Sequence, residues 1–448
     1  MQASFTGADG ARTAERWALI ALALAALLPI FFQLRGSIYH SPAAPLLDSG
    51  GDLWIVPLPI SLPVCLVALL FLGRLRNATH ALGFLAAFGG GMLAAAIVAA
   101  LPSAPGLRKL LLLAQFLIPG VGLVAGAMIA SSPHVRLLPR LFLWVLALLI
   151  PLQIVLTVAA GNHATTHDML LFGIYQHRQF VPVVMEAAYV LVLFSLWSTH
   201  DRRALALLGV VMAIYGPLSF SLLASVVLLA GLAAFAWTTR TRASAALLLI
   251  CLACLAATFW TLRGTNEFRS KTEADYVSPY IAQQSDLRPS AREAPDAAAQ
   301  YGTLPLNVRT RLSDWSTYGR GLLDSPAALL IGHREMLDRK VASSAHNYYL
   351  DLAYNFGVIA VLPVFALLAY TLWLLAAHRA QILADPTLVG LALVALFLLL
   401  VDNNLKVTLR QPYTGIFAFL LWGLLLGRLR GLAQGADARF GAPARSSA

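Results

Sequence analysis

Charge is what this chain has least of. Asp, Glu, Lys and Arg together make up 12% of its 448 residues, whereas soluble domains carry about 25%. That scarcity excludes an ordinary water-soluble enzyme, and the same lack of polar residues excludes a disordered chain. Cysteine is nearly absent: Cys65, Cys251 and Cys254 all fall in apolar blocks, so no disulfide framework is indicated. What remains is apolar. Hydrophobic residues reach 59% and the mean hydropathy is +0.74, concentrated in long blocks. The pattern predicts an all-α polytopic integral membrane protein.

About 20 apolar residues are needed to cross roughly 30 Å of hydrocarbon. On that measure the sequence predicts about twelve spans, at 16–34, 54–72, 81–101, 110–130, 137–160, 180–198, 204–217, 219–238, 243–262, 352–377, 387–401 and 413–427. Arg12 and Arg16 before the first block imitate a signal peptide. No A-x-A-like cleavage site follows, which points to a retained anchor.

Basic residues orient the chain. With both termini cytoplasmic, inner segments hold fifteen Lys and Arg, and the short outer loops hold six: Arg35, Arg108, Lys109, Arg178, Lys406 and Arg410. This bias fits a bacterial inner-membrane protein with positive loops inside. The remaining eleven of the 32 lie in one long hydrophilic segment, which is then a large periplasmic loop. The predicted organisation is a membrane domain over 1–262, the loop over 263–351, and a second membrane domain over 352–430. Residues 431–448, and the first ten, read as disordered cytoplasmic ends. Within the loop, Ser278 to Pro305 is rich in Ala, Pro, Gln and Ser and reads as irregular, while Leu306 to Tyr349 reads as folded. The net charge of +11, placed beside apolar blocks, points to the lipid bilayer and an anionic membrane ligand, with no nucleic acid among the partners.

Few residues can carry chemistry. Glu186 is the one ionisable group deep in a predicted span, where a carboxylate faces either a cavity or a helix partner, with Arg178 eight residues earlier. His163 and His167 have the i, i+4 spacing of metal ligands, but no H-E-x-x-H accompanies them and an interfacial polar loop is the better reading. Cys251-Leu-Ala-Cys254 is a C-x-x-C inside an apolar block with no base beside it, which favours helix packing over redox work.

The densest constellation runs through the loop's second half and the start of the tenth span: Arg309-Thr-Arg311-Leu-Ser-Asp-Trp315, Leu330-Ile-Gly332-His333, Ser344-Ala-His346-Asn347-Tyr-Tyr-Leu-Asp351 and Asn355-Phe-Gly357. An imidazole just before an apolar helix sits at the membrane–water boundary, where it can take a hydroxyl proton and stay neutral near pH 7. Arginines nearby can hold a diphosphate by charge-assisted hydrogen bonds. The alternative is a capped helix start with interfacial aromatics. A second basic cluster, Asp402-Asn-Asn-Leu-Lys406-Val-Thr-Leu-Arg410-Gln-Pro-Tyr413, runs against the inside-positive trend. An anionic ligand explains it, and pairing with Asp402 or with lipid head groups is the competing account.

These motifs resemble those of the O-antigen ligase and O-antigen polymerase superfamily of bacterial envelope glycosyltransferases. The likeness covers the layout of about twelve spans with one large loop between the ninth and tenth. It is sharpest at His346-Asn347, nine residues, then Gly357, with weaker echoes at Arg311-x-x-x-Trp315, at Asn403–Gly415 and around Arg178. The resemblance implies transfer of a glycan from an undecaprenyl-diphosphate carrier to an acceptor hydroxyl at the periplasmic face, needing neither metal nor cofactor. The acceptor would be lipid A core, another lipid-linked glycan, or a protein serine or threonine. It implies His346 as base or acceptor-orienting residue, with Arg311, Arg309, Arg178, Lys406 and Arg410 holding the diphosphate and Asn347 beside them. Two positions depart from the pattern: Ala360 replaces a usual Gly or Thr, and Gly216–Ser221 lacks the arginine of a Ser-Arg step. A non-catalytic carrier or flippase for a polyprenyl-linked solute is the rival from another class.

Overall fold

The computed structural model describes residues 3–32, 58–72, 78–159, 180–265, 268–269, 272–273, 304–337 and 344–440. Apart from one two-residue strand pair, these residues build helices. The first is α1 (Ala3–Leu27). Pro29 follows it, and Phe31–Phe32 then pairs antiparallel with Leu58–Pro59 ahead of α2 (Ser61–Leu69). The chain continues through α3 (Thr79–Ala100), α4 (Leu107–Leu117), α5 (Val121–Ile129) and α6 (Leu137–Ala159). Next come α7 (Val181–Leu196), α8 (Arg202–Leu218), α9 (Leu222–Thr239) and α10 (Arg242–Leu262). After them stand α11 (Leu306–Leu323), α12 (Pro326–Ile331), α13 (Tyr348–Ala377), α14 (Arg379–Ala384), α15 (Pro386–Leu396) and α16 (Pro412–Phe440).

Caps fix several boundaries. Asp201 accepts from Arg203 N–H at the head of α8, and Thr241 with Ser244 closes a reciprocal capping box on α10. Ser325-Pro326 and Asp385-Pro386 each pair a side-chain cap with a proline that needs no hydrogen bond there.

Among the described residues, eight stretches are long and apolar enough to cross a membrane: Thr79–Ala100, Leu107–Ile129, Leu137–Val155, Leu222–Thr239, Arg242–Leu262, Tyr348–Ala377, Pro386–Leu405 and Pro412–Gln434. The protein is an all-α, multi-pass membrane protein. The most apolar α10 window, with hydropathy 2.3, is only 22% buried by protein, and Leu249 and Trp260 project outward from that helix at 64% and 66% exposure. Such a surface is a liability in water and is solvated in lipid.

Four predicted spans fall outside the eight, for local reasons. The apolar part of α1 begins only at Trp17 and ends before Pro29, and the described part of the second block is the strand Leu58–Pro59 followed by a helix of nine residues. Helices α7 and α8 run to 16 and 17 residues, α8 opening on two arginines. Both predicted disordered ends also prove partly helical. Helix α1 starts at Ala3, and α16 continues to Phe440, through a stretch of Ala, Leu, Gln and Arg with no proline before Pro443.

Two glycine devices position the walls of the candidate site. Helices α5 and α16 meet through reciprocal Gly-x-x-x-Gly pairs. A Cβ on Gly126 would lie 2.0 Å from Leu420 O, and one on Gly423 would lie 2.0 Å from Leu123 O. This backbone-to-backbone contact anchors α16, and with it the segment 402–411 that leads into it. The second device is a break in α13 at Gly357, whose φ of +71° is left-handed. There the helix crosses the end of α12 at Gly332, also left-handed at φ +73°, so closely that a Cβ on either glycine would come within 2.4 Å of the other segment's backbone.

Candidate functional site

The break at Gly357 frees helical carbonyls, and the protein supplies donors for them. His333 N–H donates to Tyr354 O at 3.0 Å, while Lys109 Nζ donates to His333 O at 2.8 Å and to Asn355 O. Lys109, from the start of α4, thus fastens the broken helix while its ammonium lies 4.6 Å from the Phe356 ring centroid. The His333 ring stacks on Tyr354, with ring centroids 4.2 Å apart, and Tyr354 meets Tyr318 of α11 edge-on at 4.9 Å. These aromatics lay α11 and α12 against the first turns of α13.

Helix α11 presents Arg311, Asp314, Trp315 and Tyr318 at i, i+3, i+4 and i+7, one face of a helix. Asp314 is buried on that face and reaches the turn before α13, where its Oδ2 lies 2.9 Å from His346 Nδ1. A carboxylate can only accept, so Nδ1 carries a proton, and in the neutral ring the lone pair is on Nε2. His346 has a left-handed φ of +46°, a conformation uncommon outside glycine, two residues before the helix starts. Asn347 caps that helix by accepting from Leu350 N–H at 3.0 Å, and its amide donates to Asn404 Oδ1 at 3.2 Å.

The opposite wall is the segment that joins α15 to α16. It begins as a π-helical stretch, Phe397–Asp402, of the kind that often marks functional sites. Tyr349 Oη donates to the Leu399 carbonyl in this stretch at 2.7 Å. Asp402 Oδ1 stands 3.5 Å from Lys406 Nζ, and its other oxygen accepts from Thr408 Oγ1. Arg410 pairs with Asp351 on the first turn of α13. Arg311 lies among these charges. Burial pulls its pKa below the usual guanidinium value, against Asp402 and Asp314, which hold it up. For Lys406 burial also lowers the pKa, opposed by Asp402 and assisted by Arg311.

Trp315, Asn347, Tyr349, Leu350, Phe365, Leu400 and Asn404 line an open cleft of about 420 Å³ in front of this cluster. Phe365 and Leu400 are 47% and 37% exposed, so the cleft runs out to the apolar flank of the bundle. Among the described residues, Trp315 Nε1 and Arg311 Nε are buried donors with no hydrogen-bond acceptor.

Of the residues singled out by sequence, His346, Asn347, Arg311, Lys406 and Arg410 therefore gather at one end of the bundle. Arg309 lies half-buried two residues before Arg311. Arg178, His163 and His167 lie outside the described residues. Sequence reasoning left open whether Lys406 and Arg410 face a ligand or Asp402. Each has a carboxylate, and that of Arg410 is Asp351. Asp314, Asp351 and Lys109 went unremarked as site residues because their partners stand 32, 59 and about 246 positions away. Cys251 is buried and Cys254 half-buried, both as free thiols. Among known proteins, no family model matches this chain and no curated sequence matches it.

Proposed function

We propose that this protein transfers a glycan from an undecaprenyl-diphosphate carrier to an acceptor hydroxyl at the periplasmic face of a bacterial inner membrane, both termini being cytoplasmic. The observation that carries the reading is the His346–Asp314 pair beside Arg311. In the proposed step Nε2 of His346 takes the acceptor's hydroxyl proton as its oxygen bonds to the anomeric carbon. The carbon–oxygen bond to the diphosphate breaks, and the electron pair leaves on the phosphate oxygen. Arg311 and Arg309 stabilise that developing charge, with Lys406, Arg410 and Arg178 as further contacts, a role fixed cations fill well in a partly dry site. The cleft past Phe365 and Leu400 gives the prenyl chain an apolar approach. The spacing of His346-Asn347 and Gly357 favours a ligase of the O-antigen type with a lipid A core acceptor, ahead of polymerase or protein O-oligosaccharyltransferase activity.

Transfer from purified undecaprenyl-diphosphate-linked glycan tests the reading. His346→Ala should leave only residual transfer with donor binding intact, and unchanged transfer would remove His346 from the chemistry. Arg311→Ala should weaken donor binding, and full retained affinity would count against its diphosphate role. The pairing of Lys406 and Arg410 with carboxylates favours a second reading, a non-catalytic carrier of a polyprenyl-linked solute. It predicts donor binding with no transfer in the parent protein.

A further inference from the structure

A second group of buried polar atoms takes no part in the proposed transfer. Glu186, on the second turn of α7, is fully buried, and neither carboxylate oxygen has a hydrogen-bond partner among the described residues. Three hydroxyls share that condition: Tyr215 Oη near the end of α8, and the Oγ atoms of Ser221 and Ser225 at the start of α9, exposed by 1%, 5% and 4%. Glu186 and Ser225 share one place, and Tyr215 and Ser221 flank it along the chain. A Cβ built on Gly216 would lie 3.2 Å from Glu186 Oε1 and 3.2 Å from Ser225 Oγ, with the next atom 3.7 Å away. The missing side chain at 216 therefore leaves a space that the carboxylate and the hydroxyl share. Tyr215 precedes that glycine in α8, and Ser221 stands one helical turn before Ser225, whose N–H donates to Ser221 O at 3.3 Å. Ser219 does not contribute, because its hydroxyl is spent on Gly216 O at 2.7 Å.

Buried polar atoms almost always have partners, so this many orphans side by side indicate a ligand or ion. Among the described residues, the ionisable groups that interact with Glu186 are Tyr189, Tyr215 and Cys251, none of which brings a positive charge. Tyr189 Oη is already engaged with Leu205 O at 3.1 Å. What remains is one carboxyl group and three hydroxyls, a hard oxygen donor set that carries a single negative charge once the carboxyl gives up its proton. Hard oxygen ligands suit hard cations, and a monovalent one leaves the pocket neutral, whereas a divalent ion would leave it charged in a low-dielectric interior.

We propose that Glu186, Tyr215, Ser221 and Ser225 form a binding site for an alkali-metal cation, Na+ or K+, between α7, α8 and α9. The ion ties three helices together. It also fixes α7, whose preceding residue Phe180 sits under Lys406 Nζ with its ring centroid 5.3 Å away. Six residues of helix, about 9 Å, separate Phe180 from Glu186, so the ion supports one wall of the candidate site from below.

Thermal unfolding of the detergent-purified full chain in NaCl, KCl and N-methyl-D-glucamine chloride at equal ionic strength tests this. We expect a saturable rise in Tm with Na+ or K+ over the organic cation. It should vanish in Glu186→Gln and need about tenfold more salt in Ser225→Ala, the equivalent of one lost ligand. Equal Tm in all three salts would overturn the site, leaving water or a proton as the occupant, and so would an undiminished effect in Glu186→Gln. Equilibrium binding of 22Na+ and 86Rb+ to the unmodified protein covers the case in which Glu186→Gln fails to fold. Binding of one ion per chain supports the site, and absence of binding overturns it. Neither outcome depends on glycan transfer.

Discussion

If His346 is the base, Asp314 presents it, and Asp314→Asn isolates that contribution by keeping the shape while removing the charge. The wild-type contact is 2.9 Å between Nδ1 and Oδ2. An amide there can offer its NH2 instead, which favours the other tautomer, with the lone pair on Nδ1 and the base facing the wrong side. A hydrogen bond to a charged group contributes about 1.5–3 kcal/mol, and every ~1.4 kcal/mol is a factor of ten in rate, so kcat should fall about 10- to 150-fold. Side-chain exposures of 26% for His346 and 10% for Asp314 leave the pair partly wet, which points to the lower half of that range. The assay is transfer kinetics in nanodiscs with kcat and KM resolved, with a thermal melt run on every variant. A double-mutant cycle supplies the refutation. In a His346→Ala background Asp314→Asn should change nothing further. Losses that multiply would show Asp314 acting through another residue, with Arg311, whose charge it also balances, the first candidate.

Three further outcomes rest on the surrounding geometry. Arg410→Ala leaves Asp351 buried without its cation and should cost about 3–5 kcal/mol of stability, seen as a large fall in Tm, while Arg410→Met with Asp351→Leu should recover much of it. Gly357→Ala meets both a left-handed φ and the Leu330 carbonyl at 2.1 Å, so it should destabilise by more than the roughly 1–3 kcal/mol of backbone strain alone; a Tm within error of the parent would refute the crossing. Lys109→Met removes the donor to His333 O and Asn355 O and should cost about 1–3 kcal/mol for each carbonyl left dry, while leaving transfer detectable in whatever fraction stays folded.

Much of the membrane architecture is legible in the chain because hydropathy is a local signal. The apolar blocks at 81–101, 137–160 and 243–262 reappear as α3, α6 and α10 with boundaries moved by a few residues. Where the reading overshoots, the cause is a break that hydropathy averages away. Pro29 stops α1, and the Ile118-Pro119-Gly120 turn divides α4 from α5 without ending the span. The gathering of His346, Arg311 and Lys406 rests on long-range packing, and only the order of motifs along the chain hinted at it. The glycines at 332 and 357 looked like separate motif letters, yet they are one crossing of two backbones. Likewise Gly122-x-x-x-Gly126 and Gly423-x-x-x-Gly427 are each unremarkable alone, and their meaning appears only when one helix lies on the other. The carboxylates were the largest omission. Asp is common at helix starts, so nothing in its spacing separates a cap from the counter-ion of a cation on a distant segment.

Those counter-ions bear directly on how the end of the bundle can work. Among the described residues, Arg311, Lys406 and Arg410 stand against Asp314, Asp402 and Asp351. Three unpaired cations at such burial would be too costly to hold between turnovers, so the carboxylates are what allow an empty site to exist at all. An incoming diphosphate would then find donors already oriented rather than an unbalanced positive field. Under the proposed function it would bind by sharing Arg311 and Lys406 with Asp402, and that sharing would limit how tightly the released carrier is held. A glycosyl transferase acting on a membrane carrier gains from such moderation, because each cycle ends with the same diphosphate that it bound, now without its sugar, and the carrier must leave before the next donor enters.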